Sequence, residues 1–553
     1  MTIVQRRIGG LFGLFFLLLI LAGGRTLYLG ALKGGSLRKA AATQQLTYEA
    51  VPAQRGTITD RNGIDLAVSE PAQDISATPY LVRNPLQAAQ KLAPLLGKPQ
   101  DEVLRELSER SGFVYLKRAL PAKQAHAVMA LKIAGIAGAP VMRRVYPRGE
   151  LAAQVLGVVG TEGNGLSGLE YSRNALLHGH SGQRHVVSDA LGQPVSINEV
   201  HPEEQGTPIS LTLDSNIQQR TEDVLGAVGR VFSPKDATAI VMDPNSGAIL
   251  AMANWPQVNA NDPSASSPEA LENRAVSFDY EPGSTFKAVT VAGALQQGLV
   301  TPTSSFYIPD QIQVADRTIH DDTEHGDETL TTAQILAQSS NVGAIKIGAL
   351  EGKNDFSQWV SKFGFGKRTG VELSSEEIGQ VLPVGKYSGS SMGNLPIGQG
   401  QLVTPIQMAA AYAAIANGGI LRPPHIIRKV GSETQPTPAG RRVISSATAA
   451  SLRQMLEGVL APGGTASEVS IPGYQLAGKT GTASKVDEAT GEYSKSRYVA
   501  SFMGFAPASH PKLLCAVIVD EPQNGSIFGG TVAAPAFGQI MSFALPYLRI
   551  PPG

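Results

Sequence analysis

"DATAIVMDPNSGAILAMAN", Asp236 to Asn254, is the stretch on which the fold turns. Two apolar runs flank Pro244-Asn245-Ser246-Gly247, four residues that favour a tight reversal of the chain. The pattern predicts strand, turn, strand. Two further strand-like runs lie far downstream, "YVASFMGFAP" (Tyr498 to Pro507) and "KLLCAVIVDEP" (Lys512 to Pro522), just after "LAGKTGTAS" (Leu476 to Ser484). Just upstream, Ile209, Leu211 and Leu213 alternate as in a strand, and Asp214 or Ser215 can cap the helix that follows. Helical patterns dominate the middle. Strands at both ends with helices between them predict an α+β domain, one antiparallel sheet covered by helices.

Length and composition bound the rest. A chain of 553 residues exceeds what one core usually serves, so two or three domains are expected. The 46 basic and 46 acidic residues balance, so nothing in the composition suggests nucleic acid as a partner. The only cysteine, Cys515, sits in a continuous apolar run and reads as a small buried hydrophobe.

At the N-terminus, Arg6 and Arg7 precede an uncharged apolar run from Ile8 to Gly24. Its length is at the short end of the roughly 17–25 residues that cross a bilayer as a helix. A cleaved leader is the competing reading, but Arg25 stands where a small neutral cleavage region would be. The expectation is an uncleaved anchor over 8–24, residues 1–7 inside, and everything later outside the cytoplasm.

Beyond the anchor, residues 34–45 read as a helical stalk and Val51 to Ser69 as a hairpin around Asp60, Asn62 and Gly63. Asn84 to Leu131 has helical spacing, and the polar stretch Asn198 to Pro208 marks a domain boundary. These readings divide the chain into a mixed α/β pedestal over 45–200 and a second domain over 208–548.

The chemistry starts at "EPGSTFKAVTVAGALQQG", Glu281 to Gly298. Ser284 opens a helix, and Lys287, three residues on, shares its face. A serine hydroxyl is a weak nucleophile until a base takes its proton, and a lysine serves once burial lowers its pKa. A capping serine before a solvated lysine is the commonplace alternative for this motif alone. "AQSSNVGAIKIG" adds Ser339, a second hydroxyl for proton relay, and Asn341, a donor and acceptor for a peptide-like substrate. "LAGKTGTAS" adds Lys479, Thr480, Gly481 and Thr482 on an edge strand, a cation and two hydroxyls for a carboxylate. There Gly481 would let an extended substrate approach the strand. Two polar segments read as loops without a metal: His178, His180 and His185 in a Gly-rich turn, and "HDDTEHGDE" from His320 to Glu328.

S-x-x-K, S-x-N and K-T-G in this order resemble the penicillin-binding proteins and class A β-lactamases. Longer stretches narrow the likeness. "RGTITDRNG" (Arg55 to Gly63), "RRVYPRGELAAQVLGVVG" (Arg143 to Gly160) and "GLSGLEYSRNALLHGHSG" (Gly165 to Gly182) are similar to the pedestal of class B members. "NRAVSFDYEPGSTFK" (Asn273 to Lys287) and "PIGQGQLVTPIQMAAAYAAIANGG" (Pro396 to Gly419) are similar to their transpeptidase domain.

The resemblance implies a peptidoglycan D,D-transpeptidase of the division-specific FtsI type, with the elongation-specific type as the alternative. It implies Ser284 as nucleophile, Lys287 as base, Ser339 as proton donor to the leaving amine and Asn341 on the donor-stem amide. It places the terminal D-alanine carboxylate on Lys479, Thr480 and Thr482, and the oxyanion on the backbone N–H groups of Ser284 and Thr482. It implies no cofactor. It implies β-lactams as covalent inhibitors, and a membrane-embedded SEDS-type glycan polymerase and division proteins as partners. A D,D-carboxypeptidase, a β-lactamase and a β-lactam-sensing scaffold are the other readings of the same motifs.

Overall fold

The structure is a computed structural model that describes residues 3–32, 35, 46–188, 194–487 and 489–552. Its contacts define two compact units, the first made of Met1–Gln54, Pro71–Met142 and Gly179–Gln205, the second of Arg55–Glu70, Arg143–His178 and Gly206–Gly553.

The first unit begins with helix α1, Ile3–Leu27. The apolar window spans Arg7–Ala31, 25 residues, longer than the run read from sequence. Arg25 does not end it, because one long charged side chain is compatible with a helix, and the Thr26 hydroxyl donates back to the Ala22 carbonyl at 2.6 Å. At 1.5 Å per residue such a helix covers roughly 37 Å, enough for a hydrocarbon core of about 30 Å. The stalk expected over 34–45 lies almost wholly outside the described residues.

Further on, Leu46–Val51, Gly182–Ser188 and Pro194–His201 form an antiparallel sheet. Helices Pro85–Leu96, Gln100–Leu107 and Ala122–Ala130 share a core built on Leu92, Val103, Leu107, Leu116 and Leu120. The segment Val114–Pro121, read from sequence as helical, is a strand paired antiparallel with Ala72–Ala77. Its buried residues, Leu116 and Leu120, are four apart and so fit a helix and a strand equally. Asp74 decides the matter, accepting from the Ala119 backbone N–H at 2.7 Å.

The second unit is built on five antiparallel strands: β1 (Asp236–Met242), β2 (Ile249–Trp255), β3 (Ala477–Val486), β4 (Tyr493–Ala506) and β5 (Leu513–Asp520). They run in the order β2-β1-β5-β4-β3, which leaves β3 at an edge. Helices α2 (Ser215–Phe232) and α7 (Gly529–Tyr547) cover one face. The other face packs on α3 (Lys287–Gln296), α5 (Asn341–Lys362) and α6 (Pro405–Ala416), with α4 (Thr332–Gln338) alongside. Ile240 and Met242 face one layer and Ala239 and Val241 the other, so both faces are dry. That is why β1 and β5 read as unbroken apolar runs rather than alternating ones. Cys515 is fully buried in β5, and burial pushes its thiol pKa up. Asp214 caps α2, accepting from the N–H groups of Asn216 at 3.1 Å and Ile217 at 3.4 Å.

The three pedestal-like stretches quoted above meet inside this second unit. Glu170, fully buried, pairs with Arg55 at 2.5 Å and Arg144 at 2.7 Å. Arg55 also donates to Asn174 Oδ1 at 2.7 Å and to the Glu170 carbonyl at 2.7 Å. Removing one partner of a buried ion pair strands the others. Glu170→Ala is therefore expected to cost about 3–5 kcal/mol. Arg497→Ala, which removes an exposed pair with Asp487 at 3.2 Å, should change stability by about 0–1 kcal/mol. Denaturant midpoints of the two variants check the contrast.

Candidate active site

Ser284 lies on a single 3-10 turn, Gly283–Phe286, which runs into α3 at Lys287. In a 3-10 turn residues i and i+3 eclipse, so Ser284 and Lys287 stack along one line. Gly283, at φ 52°, makes the turn possible: its N–H donates to the Gly398 carbonyl at 3.1 Å, and a Cβ there would meet Ala483 Cβ at 3.1 Å. The Tyr412 hydroxyl on α6 donates to the Thr285 carbonyl at 2.7 Å and holds the turn from behind.

Lys287 is fully buried. Its Nζ donates to Asn341 Oδ1 at 2.7 Å, to Ser339 Oγ at 3.2 Å and to the Ser339 carbonyl. Burial pulls its pKa down to about 8, against the opposing pull of Asp322 and Asp321. Ser284 Oγ is not hydrogen-bonded to this amine. The expected serine–lysine pair is thus held by alignment, and the amine's present partners are on the second motif. Such contacts commonly close only when substrate binds.

Ser339 ends α4 in the left-handed region, at φ 67°. A non-glycine residue held there marks local strain, and the reversal brings both its carbonyl and its hydroxyl to Lys287. Ser340 then caps α5, accepting from the Gly343 N–H at 2.9 Å.

The polar loop from His320 to Glu328 belongs to this site, which its sequence did not reveal. Asp321 accepts from the Ser340 hydroxyl at 2.7 Å, the Val342 N–H at 2.9 Å, His325 Nε2 at 3.1 Å and the Asn341 N–H. Asn341 Nδ2 donates to the His320 carbonyl at 2.9 Å and to Asp322 Oδ1 at 3.1 Å, which fixes the amide so that Oδ1 faces Lys287. No local periodicity links acids at 321 and 322 to an asparagine nineteen or twenty residues on. Among the described residues no three His, Cys, Asp or Glu side chains gather as a metal site.

Edge strand β3 supplies the third wall. Lys479 is fully buried, and its Nζ donates to the Thr480 carbonyl at 3.2 Å and Thr480 Oγ1 at 3.4 Å. Burial lowers its pKa well below the usual lysine value, and the charge of Lys287 lowers it further. Thr480 Oγ1 also meets Thr465 Oγ1 at 2.6 Å, and Thr482 Oγ1 accepts from the Gly529 N–H at 3.1 Å. A Cβ at Gly481 would fall 2.5 Å from Ser501 Oγ and 2.9 Å from Thr285 Cγ2. The close approach this glycine permits in the structure is therefore by the serine-bearing turn itself, where the sequence suggested a substrate.

All three motifs thus come together at one site. Residues 237–542 match the family model of the penicillin binding protein transpeptidase domain, and residues 50–211 match that of the penicillin-binding protein dimerisation domain. The chain is similar to the penicillin-binding protein PbpB of Mycobacterium tuberculosis, 34% identical over 97% of this chain and 84% of that one. It is also similar to the peptidoglycan D,D-transpeptidase FtsI of Escherichia coli, 33% identical over 99% of this chain and 93% of that one. Among solved structures, penicillin binding protein 3 of Mycobacterium tuberculosis complexed with aztreonam superposes with a TM-score of 0.72 at 31% identity, covering 91% of this chain and 98% of that one. The chain belongs to the penicillin-binding protein transpeptidases, in their class B form.

The Asp321 clamp carries a prediction. Asp321→Ala would leave two backbone N–H groups and the Ser340 hydroxyl without their acceptor, at a cost of about 1–3 kcal/mol. Asp321→Asn keeps one carbonyl acceptor and should lose less. Thermal melts of the two variants rank them.

Proposed function

We propose that this protein crosslinks peptidoglycan as a serine D,D-transpeptidase in septal wall synthesis. The observation that carries the reading is Lys287, a buried amine with a pKa near 8, aligned behind Ser284 and tied to Ser339 and Asn341. In the first step Ser284 Oγ attacks the carbonyl between two terminal D-alanines while Lys287 takes its proton. The backbone N–H groups of Ser284 and Thr482 would receive the oxyanion, a role usually worth about 2.7–4 kcal/mol per donor. Ser339 relays a proton to the departing D-alanine amine, which leaves an ester on Ser284. An amine from a neighbouring stem peptide then attacks that ester, forming the crosslink and returning the proton to Ser284.

Recognition divides along the same lines. Asn341 reads the donor-stem amide. Lys479, Thr480 and Thr482 hold the terminal carboxylate, with Gly481 between them. Burial and the nearby Lys287 both oppose the charge on Lys479, and an incoming carboxylate would offset that opposition. The catalytic domain is assigned to 208–548 and the pedestal to 45–200. Residues 8–24 lie within the membrane anchor, with 1–7 inside and the enzyme outside the cytoplasm. The anchor and pedestal would meet the SEDS-type polymerase and other division proteins.

Three measurements test this. A fluorescent penicillin should leave its adduct on the peptide that holds Ser284, and Ser284→Ala should abolish both labelling and crosslinking. Crosslinking that survives the substitution would favour a scaffold, and steady turnover of penicillin would favour a hydrolase. Lys287 is a base only when neutral, so the acylation rate should rise about tenfold per pH unit up to about 8 and then level. Asp322 holds the amine's proton on, so Asp322→Asn should move that inflection to lower pH. A flat profile below pH 8 would remove Lys287 from the role.

A further inference from the structure

Away from the catalytic motifs, the second unit contains a cavity of about 510 Å³ with five basic residues in its lining, Lys362, Lys367, Arg368, Arg422 and Arg441, and no acidic one. Its volume suits a small molecule. Phe363, Leu421 and Pro423 add apolar wall.

Two of the five cations have local explanations. Lys362 Nζ sits 4.0 Å from the Trp359 ring centroid, and Arg422 Nη1 donates to the Pro438 carbonyl at 3.1 Å. The side chains of Lys367, Arg368 and Arg441 make no ion pair or hydrogen bond among the described residues. A Cβ at Gly364 would come within 3.9 Å of Arg441 Nη2, which sets that guanidinium against the wall formed by residues 361–364. One acid, Glu376, lies beside the cleft, bonded to the lining residue Thr369 and to Gly370. It accepts from the Thr369 N–H at 2.6 Å, the Thr369 hydroxyl at 2.5 Å and the Gly370 N–H at 3.3 Å.

Like charges repel, and a concave wall focuses their field, so such a cleft concentrates anions. Guanidinium forks match the paired oxygens of phosphate or carboxylate. We propose that this cleft binds a small multivalent anion, a compound carrying two or more phosphate groups. It stands apart from the reaction: Ser361 and Lys362 end the same α5 whose first residue is Asn341, and Gln407 and Ala410 lie on α6.

The test is calorimetric titration of the full chain, in non-ionic detergent at about 0.15 M salt, with inorganic pyrophosphate. It does not depend on the transpeptidase reading. The expected result is saturable binding of one pyrophosphate per chain, weakened about tenfold or more in Arg422→Gln, Arg441→Gln and Lys367→Gln. Lys353→Gln, an exposed change of equal charge outside the cleft, should bind as the parent does. A thermal melt and circular dichroism spectrum matching the parent's certify the fold of each variant. Citrate in a parallel titration tells carboxylate from phosphate. Competition by cardiolipin, a lipid with two phosphates, in mixed micelles with the same detergent, absent with phosphatidylcholine, would identify a lipid headgroup as the source, whereas its failure would identify a soluble ligand. Absence of saturable heat, stronger binding of citrate than of pyrophosphate, or equal weakening in Lys353→Gln and the cleft variants would overturn the proposal.

Discussion

Two lysine side chains with no access to solvent share one site, and the rest of the second unit is arranged to tolerate them. A buried ammonium is costly unless it is hydrogen-bonded or paired. Lys287 meets this demand with three acceptors, all from Ser339 and Asn341. Asp322 and Asp321 supply the opposing charge. The balance leaves the amine able to release a proton near neutral pH, which is the property a general base needs. Lys479 has poorer company, a backbone carbonyl and one hydroxyl, so its charge is less well compensated within the fold.

Close packing between a turn and a strand makes this electrostatic arrangement specific. A side chain at Gly481 would collide with Ser501 and Thr285, and one at Gly283 would crowd Ala483. The serine-bearing turn is thereby pressed against edge strand β3, with Tyr412 bracing it from α6. Because the five-stranded sheet is dry on both faces, β3 cannot shift without disturbing two helical layers. Catalytic groups on such a base keep their spacing before any substrate arrives.

Much of this was legible in the chain. Apolar runs around Pro244–Gly247 and through Leu513–Val519 gave the strands, since a strand buried on both faces must be apolar at every position. A cap at Asp214 or Ser215 followed from their place before a helical period, and the structure puts it on Asp214. Val114–Pro121 was misread because Leu116 and Leu120 satisfy two periods at once. The helix runs past the apolar stretch Ile8 to Gly24 because a single arginine looks like a border in sequence but does not break a helix.

The sequence by itself determined the site's chemical groups, in three motifs whose order and spacing admit few other readings, and the α+β character of the domain that bears them. Only tertiary structure decided what surrounds those groups. Asp321 and Asp322 come from a loop without periodicity, and their influence on Lys287 is a matter of distance through space, which no local pattern encodes. The same holds for Glu170 between Arg55 and Arg144: each residue is visible in its own motif, but their meeting depends on a chain that returns to one core from three directions.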